Sequence, residues 1–275
     1  MKKRNYLFQI SAIIVAVVLM SGLSSCKKED KPVQPELPPY ESMIMDFSDF
    51  DQTPAQGKGI ITEHDNFITA YVSVAFWHSI TTTTMIIPAL AYREMLTNAG
   101  DPEYIDDNTW VWTKQFGYQD LSYTATLTAV RLNNEEFSME MKIASAAYPE
   151  QGVVWFDGVI RYDHTHALWN LYKYDEGEVK VIEAEWNKDF ETGVSDLKYT
   201  YMETGSDEYG SYIIFGLNPA LEYDAYYTVS LSSNTVNIEW DTESKAGRIK
   251  NPAYFEDNEW HCWNNMLVNI ECPVM

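Results

Sequence analysis

The amino-acid sequence predicts an α+β protein that is mostly β, with a large curved antiparallel sheet of about ten strands packed on two N-terminal helices. Three observations support this prediction. Two apolar helical stretches precede residue 100, and a period of two dominates after Pro102. The links between later strands are short, which forces neighbouring strands antiparallel and predicts a meander. A β-sandwich is the alternative fold.

The first helix is predicted to begin near Thr62, where Asp65 three residues on favours the first turn. Apolar side chains cover nearly all of its circumference, so we expect other elements to enclose it. Four consecutive threonines, 81–84, disfavour a helix because β-branched side chains crowd the preceding turn. We therefore predict a break there and a second helix over 85–98, with Gly100 after its end. One long kinked helix is the alternative.

Alternation of apolar and polar residues marks ten strand candidates after Pro102. The clearest is 121–132, which ends at Asn133 and Asn134, residues typical of a turn. Before the helices, residues 43–59 mix apolar side chains with aspartates, which predicts an irregular arm or an edge strand packed on the body. The strand candidates are 110–116, 121–132, 137–143, 153–162, 167–174, 179–186, 196–203, 212–217, 223–231 and 235–240.

The charge of the chain excludes one class of partner. The 275 residues carry 41 acidic and 19 basic side chains. Residues 1–25 hold Lys2, Lys3 and Arg4 and no acid, so the remainder has 41 acidic against 16 basic side chains, a formal charge of −25. A body this acidic repels nucleic-acid phosphates and anionic lipid. We expect no nucleic-acid partner, and we expect a monomer.

The N-terminus has the three parts of a secretory signal: basic residues, a short apolar run over 10–20, and small residues after it. The run is shorter than a comfortable membrane span, although an uncleaved anchor helix is the alternative. Residues 23–26, Leu-Ser-Ser-Cys, resemble a bacterial lipobox. The resemblance implies removal of 1–25 and acylation of Cys26. Each buried CH₂ group gains about 0.8 kcal/mol, so several acyl chains would anchor the protein to a membrane.

The residues after Cys26 indicate where an anchored protein would lie. Lys-Lys-Glu-Asp at 27–30 resembles the surface-export signal of Bacteroidota lipoproteins, although a solvated charged tether would look similar. The resemblance implies a lipid-anchored protein of the outer membrane that faces outward. Residues 31–40 contain four prolines, which predicts an extended spacer. We thus predict a signal peptide at 1–25, a lipidated N-terminus and tether at 26–42, and one globular domain at 43–275.

Two helices followed by a long meander are similar in order to the half-barrel of LolA/LolB-like lipoprotein carriers. The likeness covers about residues 60–275, concerns topology alone and rests on no signature motif. Enclosed helices beside a long curved sheet lead us to expect an apolar or amphipathic ligand between the helices and the concave face.

The cysteines agree with export. With Cys26 lipidated, Cys262 and Cys272 remain as an even pair in a compartment that permits disulfides. Closing a loop of about ten residues would contribute roughly 2–3 kcal/mol. However, a two-residue hairpin turn at 264–265 would place Cys262 opposite Leu267, so two buried free thiols are the alternative.

Few residues follow a catalytic or metal-binding pattern. His164 and His166 are metal candidates, because alternate residues of a strand share a face. They fall where a hairpin should turn, so polar turn residues are the simpler interpretation. Serine-hydrolase, phosphate-loop, dinucleotide-binding and zinc-protease motifs do not occur in the sequence. We therefore expect no enzymatic activity, no metal and no cofactor.

The aromatic residues are the remaining indication of function. Rings on the face of a sheet opposite the core could stack on sugars or line an apolar groove. We expect a lipid-anchored, non-enzymatic binding module for an apolar or amphipathic ligand, such as a lipid or small apolar molecule. A glycan-binding surface lipoprotein and a structural or adhesive surface protein are alternatives, and a hydrolase is disfavoured. The candidates for ligand contact are Trp110, Trp112, Trp155, Trp169 and Trp186.

Overall fold

The structure is a computed structural model that describes residues 33–50, 63–98, 100–146, 148, 152–174, 178–231 and 233–273. Two compact units divide the chain, 1–34 and 35–275, and the fold described below is that of the second. The predicted signal peptide, Cys26 and the helix start at Thr62 lie outside the described residues.

The fold is mostly β, as predicted. All strands belong to one antiparallel sheet in which each strand pairs with its neighbours in sequence, and the sheet is open from β1 to β14. The strands are β1 (Glu103–Tyr104), β2 (Thr109–Tyr118), β3 (Leu121–Arg131), β4 (Glu136–Ser145), β5 (Val153–Arg161), β6 (His166–Tyr174), β7 (Glu178–Lys188), β8 (Ser195–Tyr201), β9 (Tyr212–Leu217), β10 (Ala225–Leu231), β11 (Asn234–Trp240), β12 (Gly247–Lys250), β13 (His261–Trp263) and β14 (Asn269–Ile270).

Ten of these strands match the ten predicted ones, and they lie in a single sheet rather than in the two sheets of a sandwich. The four strands that the sequence did not predict are β1, β12, β13 and β14. Each has only two to four residues, which is too short for a period of two to be recognised. Buried side chains such as Leu127, Met139 and Tyr199 define the inner face of the sheet, and alternate residues define the outer face.

Two helices precede the sheet, α1 (Asp65–Thr84) and α2 (Ile86–Asn98), and a short helix, α3 (Pro252–Phe255), interrupts its end. The break predicted at threonines 81–84 lies after them, at Met85. The threonines stay helical because hydroxyls donate to carbonyls four residues earlier, as from Thr81 to Trp77 at 3.0 Å and from Thr83 to Ser79 at 2.9 Å. Such bonds also bend helices, and α1 and α2 meet at a bend of 69°.

Helix α1 is enclosed on one side only, contrary to the prediction. Phe67, Val74 and Trp77 are buried, whereas Val72 on the opposite side is 61% exposed.

Among the described residues, no single helix is long and apolar enough to cross a membrane. The α1–α2 pair meets the length and composition of a span only as a bent pair.

The helix pair contacts strands near both ends of the sheet, because α1 packs on β12 to β14 and α2 on β2. In α1, Asn66 donates from Nδ2 to the carbonyl of Cys262 at 2.8 Å. At the end of α2, Lys114 on β2 donates from Nζ to the carbonyl of Asn98 at 3.2 Å. A cation is favoured at a helix C-terminus, so this contact fixes α2 against the first long strand.

Residues 35–50, here called the arm, pack on the inner face of the sheet. The arm is irregular, with 3₁₀ turns at Tyr40–Ser42 and Ser48–Phe50, and Met43, Met45 and Phe47 are buried. It begins eight residues before the predicted domain boundary. The hydroxyl of Tyr92 on α2, for example, donates to the carbonyl of Pro38 at 2.5 Å.

Cys262 and Cys272 form a disulfide with Cα atoms 5.1 Å apart. The turn between β13 and β14 is longer than two residues, since the amide of Asn264 donates to the carbonyl of Val268 at 2.9 Å. Cys262 therefore lies opposite Ile270, and Cys272 follows two residues later. The predicted pair thus forms, but through a different turn from the one the sequence argument considered.

Replacing Gly158 should destabilise the sheet. A Cβ atom there would lie 2.4 Å from Cε3 of Trp169 and 2.5 Å from the carbonyl oxygen of Leu168. We expect Gly158→Ala to lower the free energy of unfolding by about 1–3 kcal/mol, measured by urea denaturation, because overpacking displaces the indole. Gly117→Ala is the matched control, since its nearest neighbouring atom lies at 3.8 Å. Equal stability of the two variants would contradict this packing.

Candidate functional site

The inner face of the sheet, where the sequence predicts an apolar ligand, is covered by the arm. Four strands supply side chains that bond to it. Tyr199 on β8 donates to the carbonyl of Met43 at 2.5 Å and accepts from the amide of Met45 at 2.8 Å. The other contacts are Trp169 Nε1 on β6 to the Ser42 carbonyl at 2.9 Å, Tyr227 OH on β10 to the Asp46 carbonyl, and Trp240 Nε1 on β11 to Asp49 Oδ2 at 2.8 Å.

The far end of the arm is held by an ion pair. Lys245, in the turn after β11, donates from Nζ to Oδ1 of Asp49 at 2.5 Å. The carbonyl of the same lysine accepts from Nε1 of Trp263 at 2.8 Å, which joins the arm to β13. Both oxygens of Asp49 are therefore occupied, one by the ammonium group and one by Trp240.

Aromatic packing surrounds the two phenylalanines of the arm. Phe50 stacks on Phe67 of α1 with centroids 5.5 Å apart and meets Trp240 edge-on at 5.0 Å. Phe47 stacks on His78 of α1 at 5.4 Å and on Tyr227 at 5.8 Å. Such pairs contribute about 0.5–1.5 kcal/mol each beyond their buried area, so they add to the seating of the arm.

Burial sets the protonation of the tyrosines that hold the arm. It raises the pKa of Tyr199 and of Tyr92 above the ordinary range, and the charge of Glu41 adds to the shift of Tyr92. Both hydroxyls therefore stay neutral at physiological pH and remain hydrogen-bond donors to arm carbonyls.

The space that remains between the arm and the helix bend is small. A recess of about 230 Å³ is lined by arm residues 44–48, by His78, by Tyr199 and by residues around the bend. Ligand sites commonly enclose about 300–1,000 Å³. The cavity expected between helices and sheet is thus largely replaced by the arm.

The five tryptophans predicted to contact a ligand are core residues. Each is less than 8% exposed. Trp169 has a further role, since it bonds to the arm. Contact of these rings with a ligand stays a prediction, and the structure places them in the core, because alternation shows which residues share a face but not which face is covered. These residues are Trp110, Trp112, Trp155, Trp169 and Trp186.

The two candidate metal ligands have separate partners. His164 lies in the turn before β6 with φ +52°, and its Nε2 is 3.2 Å from the carbonyl of Glu36. His166 Nδ1 is 2.9 Å from Oδ1 of Asn187. In the part of the chain that the structure describes, no group of three or more His, Cys, Asp or Glu residues could hold a metal ion.

A groove of about 690 Å³, here called the outer groove, lies across β3 to β7. Most of its side chains point away from the arm, on the outer face. Polar and apolar residues both contribute. The lining residues are Thr128, Val130, Ser138, Met139, Glu140, Asp157, Gly158, Val159, Leu168, Trp169, Asn170 and Glu183.

Strand register arranges this lining into two parallel rows. The polar row contains one hydrogen-bonding side chain from each of five adjacent strands, in the order Thr128, Glu140, Asp157, Asn170 and Glu183. The second row lies two residues along each strand and is mainly apolar, in the order Val130, Ser138, Val159 and Leu168. The outer groove is therefore amphipathic across its width.

The carboxylates of the polar row already have hydrogen-bond or ionic partners. Asp157 accepts from Nδ2 of Asn170 at 2.6 Å and from the hydroxyl of Tyr172 at 2.7 Å. Burial is the main cause that raises the pKa of Tyr172, and the hydrogen bond to Asp157 adds to it, so this donor stays protonated. Lys142 and Lys180 pair with the other two acids of the row, Glu140 at 3.0 Å and Glu183 at 2.7 Å.

Sequence reasoning did not find the outer groove. Its residues occupy ordinary solvent-facing positions of predicted strands, and no single strand distinguishes them. The rows exist only through the register of five strands, which shifts between Met141 and Lys142 and again between Leu171 and Tyr172. Register of this kind could not be read from alternation alone.

No protein-family model matches this chain, and comparison with curated proteins and with solved structures found no similar protein. The resemblances to surface lipoproteins and to the LolA/LolB-like topology therefore remain predictions.

Stability should fall at alkaline pH because of the tyrosines that hold the arm. The pKa of Tyr199 and of Tyr92 is raised in the folded chain, so their contribution is complete below pH 10 and is lost as the pH rises above it. We expect a loss of up to about 1.4 kcal/mol per buried tyrosine for one pH unit above 10, measured by urea unfolding.

Two variants make this expectation specific. Tyr199→Phe should lose about 1–3 kcal/mol at pH 8, because Met43 and Met45 lose a partner, yet it should have a shallower alkaline slope than the wild type. Tyr209→Phe, at a 52% exposed position, is the control and should resemble the wild type. An unchanged slope in Tyr199→Phe would show that this hydroxyl is not buried as described.

Proposed function

We propose that this chain is a lipid-anchored, non-enzymatic binding protein that takes an amphipathic ligand in the outer groove. The observation that carries the proposal is the pair of adjacent rows, one hydrogen-bonding and one mainly apolar, on the same surface. The volume of about 690 Å³ falls within the usual range of ligand sites.

The chemistry of the rows indicates the kind of ligand. Val159 and Leu168 offer apolar contact, and Leu168 is 44% exposed. Asp157 and Asn170 offer acceptors and a donor to hydroxyl groups. An anionic ligand is disfavoured, because the groove contains three carboxylates and the chain after residue 25 carries a formal charge of −25. A neutral molecule with a hydroxyl-rich head and an apolar part fits this combination.

The contacts of the arm are evidence for the proposal that the sheet is curved like a half-barrel. The order of helices and strands is similar to that of LolA/LolB-like carriers. Ser42 bonds to β6 and Asp46 to β10, four strand intervals apart. Those intervals span about 19 Å in a flat sheet, whereas four extended residues reach only about 14 Å. The side chains on the inner face must therefore converge on the arm. Because the arm occupies that concave side, we assign the ligand to the opposite face.

An outward-facing position on the outer membrane belongs to the same proposal. Cys26 would carry the acyl chains, and Pro35, where the arm begins, lies nine positions further along the chain. At about 3.1–3.6 Å per residue, this tether would span roughly 30 Å when extended.

A glycan without an apolar part is the second candidate ligand. It is supported by the spacing of the polar row, in which each strand adds one hydrogen-bonding side chain at intervals of about 4.8 Å. This repeat is close to the length of one pyranose ring, so a linear chain of sugars could meet one side chain per unit. An adhesive role through a sheet edge has less support, since the edge strands β1 and β14 have two residues each.

Leu168→Asp should weaken binding of n-octyl glucoside, a neutral probe with a sugar head and an alkyl chain, used below its micelle concentration. We expect at least tenfold weaker binding by calorimetry, because a carboxylate replaces apolar contact in the outer groove. Leu221→Asp is the matched control, at a 56% exposed position outside the groove.

Four results of these titrations are informative. Selective loss in Leu168→Asp supports the proposal, whereas an equal effect of both substitutions or no binding by the wild type contradicts it. Binding of a linear neutral glucan as tightly as the alkyl glucoside would favour the glycan alternative.

Cys26→Ala, with residues 1–25 intact, should move the protein from the membrane fraction to the soluble envelope fraction. The physical reason is loss of the acyl chains, and mass spectrometry of the mature N-terminus measures it directly. Lys28→Ala keeps the cysteine and should remain with the membrane. Retention of Cys26→Ala in the membrane fraction would instead support an uncleaved anchor helix.

A further inference from the structure

The polar contacts that seat the arm go almost entirely to its backbone. Tyr199 bonds to the carbonyl of Met43 and the amide of Met45, and Trp169 and Tyr227 bond to other carbonyls. Asp49 is the exception, through its carboxylate. Contacts to the backbone do not depend on which side chains the bound segment carries, so they are typical of a site that binds extended peptide.

Side chains of the arm supply the specificity. Met43, Met45 and Phe47 occupy alternate positions and are at most 5% exposed. Extended peptides bound by proteins follow the same division, in which main-chain hydrogen bonds give affinity and pockets for alternate side chains give selectivity. The inner face therefore has the two components of a peptide-binding site, occupied here by a segment of its own chain.

The arm is separable from the sheet. It contributes no strand to the 14-stranded order, and its contacts described above are made by side chains of the sheet, of the two helices and of the turn after β11. Removing it would break no strand pairing. Twelve residues, 51–62, join it to the first described residue before α1, and an extended chain of that length reaches about 40 Å.

We propose that the inner face is a peptide-binding site and that it exchanges its own arm for the arm of a second copy of this chain. The second copy is the occupant favoured, because its arm carries the alternation and the Asp49 carboxylate that already fit. Exchange of an identical element between copies creates no new contact and costs little apart from association entropy. This inference concerns the inner face and is independent of the ligand proposed for the outer groove.

The first experiment uses the chain from residue 26 onward with Cys26→Ser, carrying a protease site within residues 51–62. After folding and cleavage, the arm is held without a covalent link. We expect a fluorescent peptide of residues 35–50 to replace the cleaved arm, with one peptide bound per chain. Fluorescence anisotropy measures this exchange. A peptide with Met43→Asp and Met45→Asp should bind at least about 100-fold more weakly, because two carboxylates would be buried without partners. Tyr199→Phe in the body should accelerate exchange, whereas Tyr209→Phe should not.

The second experiment identifies the occupant. The uncut chain should form dimers in analytical ultracentrifugation as its concentration approaches about 1 mM, the order of effective concentration at which linked and unlinked copies of a segment compete, and excess peptide should suppress them. Entry of the peptide together with suppressible dimers supports the proposal. The peptide site would be overturned if the peptide enters only at urea concentrations that also abolish the circular dichroism of the sheet, because exchange would then require unfolding of the whole fold. Entry of the peptide without dimers at any concentration would overturn the second copy as its occupant.

Discussion

The contacts between the arm and the inner face decide how this fold is completed. A single 14-stranded sheet exposes one apolar face that two helices of 20 and 13 residues cover only in part. The arm supplies further cover, but its backbone lies outside any strand ladder and its buried amides and carbonyls need partners. Tyr199, Tyr227 and Trp169 meet that need with polar atoms carried on large apolar rings. The same side chains thus pack the core and satisfy the backbone that crosses it.

The sequence predicted the mostly β class, the antiparallel meander and all ten longer strands, because a period of two is a local property. It did not predict that threonines 81–84 remain helical, since their hydroxyl bonds to the preceding turn offset a weak propensity. Nor did it place residues 35–42 on the body. Their prolines favour an extended spacer, but burial of Pro35, Pro38 and Ser42 depends on partners distant in sequence, such as Tyr92.

The outer groove could not be predicted from the sequence either, because it too depends on contacts between residues distant in sequence. Asp157 and Asn170 are 13 residues apart, and each looks like an ordinary solvent-facing residue of its strand. Only the register of β5 against β6 brings them together. The sequence also left open whether tryptophans such as Trp110 and Trp186 face the core or the surface, and only the packing of the sheet places them in the core. The disulfide between Cys262 and Cys272 could be predicted, because two cysteines need little beyond proximity to form one.

Strands β5 and β6 contribute contacts to both faces of the sheet. On the inner side the indole of Trp169 lies across Gly158 and bonds to Ser42 of the arm. Asn170, the next residue, projects to the outer side and donates to Asp157, which is next to Gly158. Adjacent residues of β6 thus serve different faces, Trp169 the arm and Asn170 the polar row of the outer groove. Because side chains alternate along a strand, the same strand pair can hold the arm on one face and line the groove on the other.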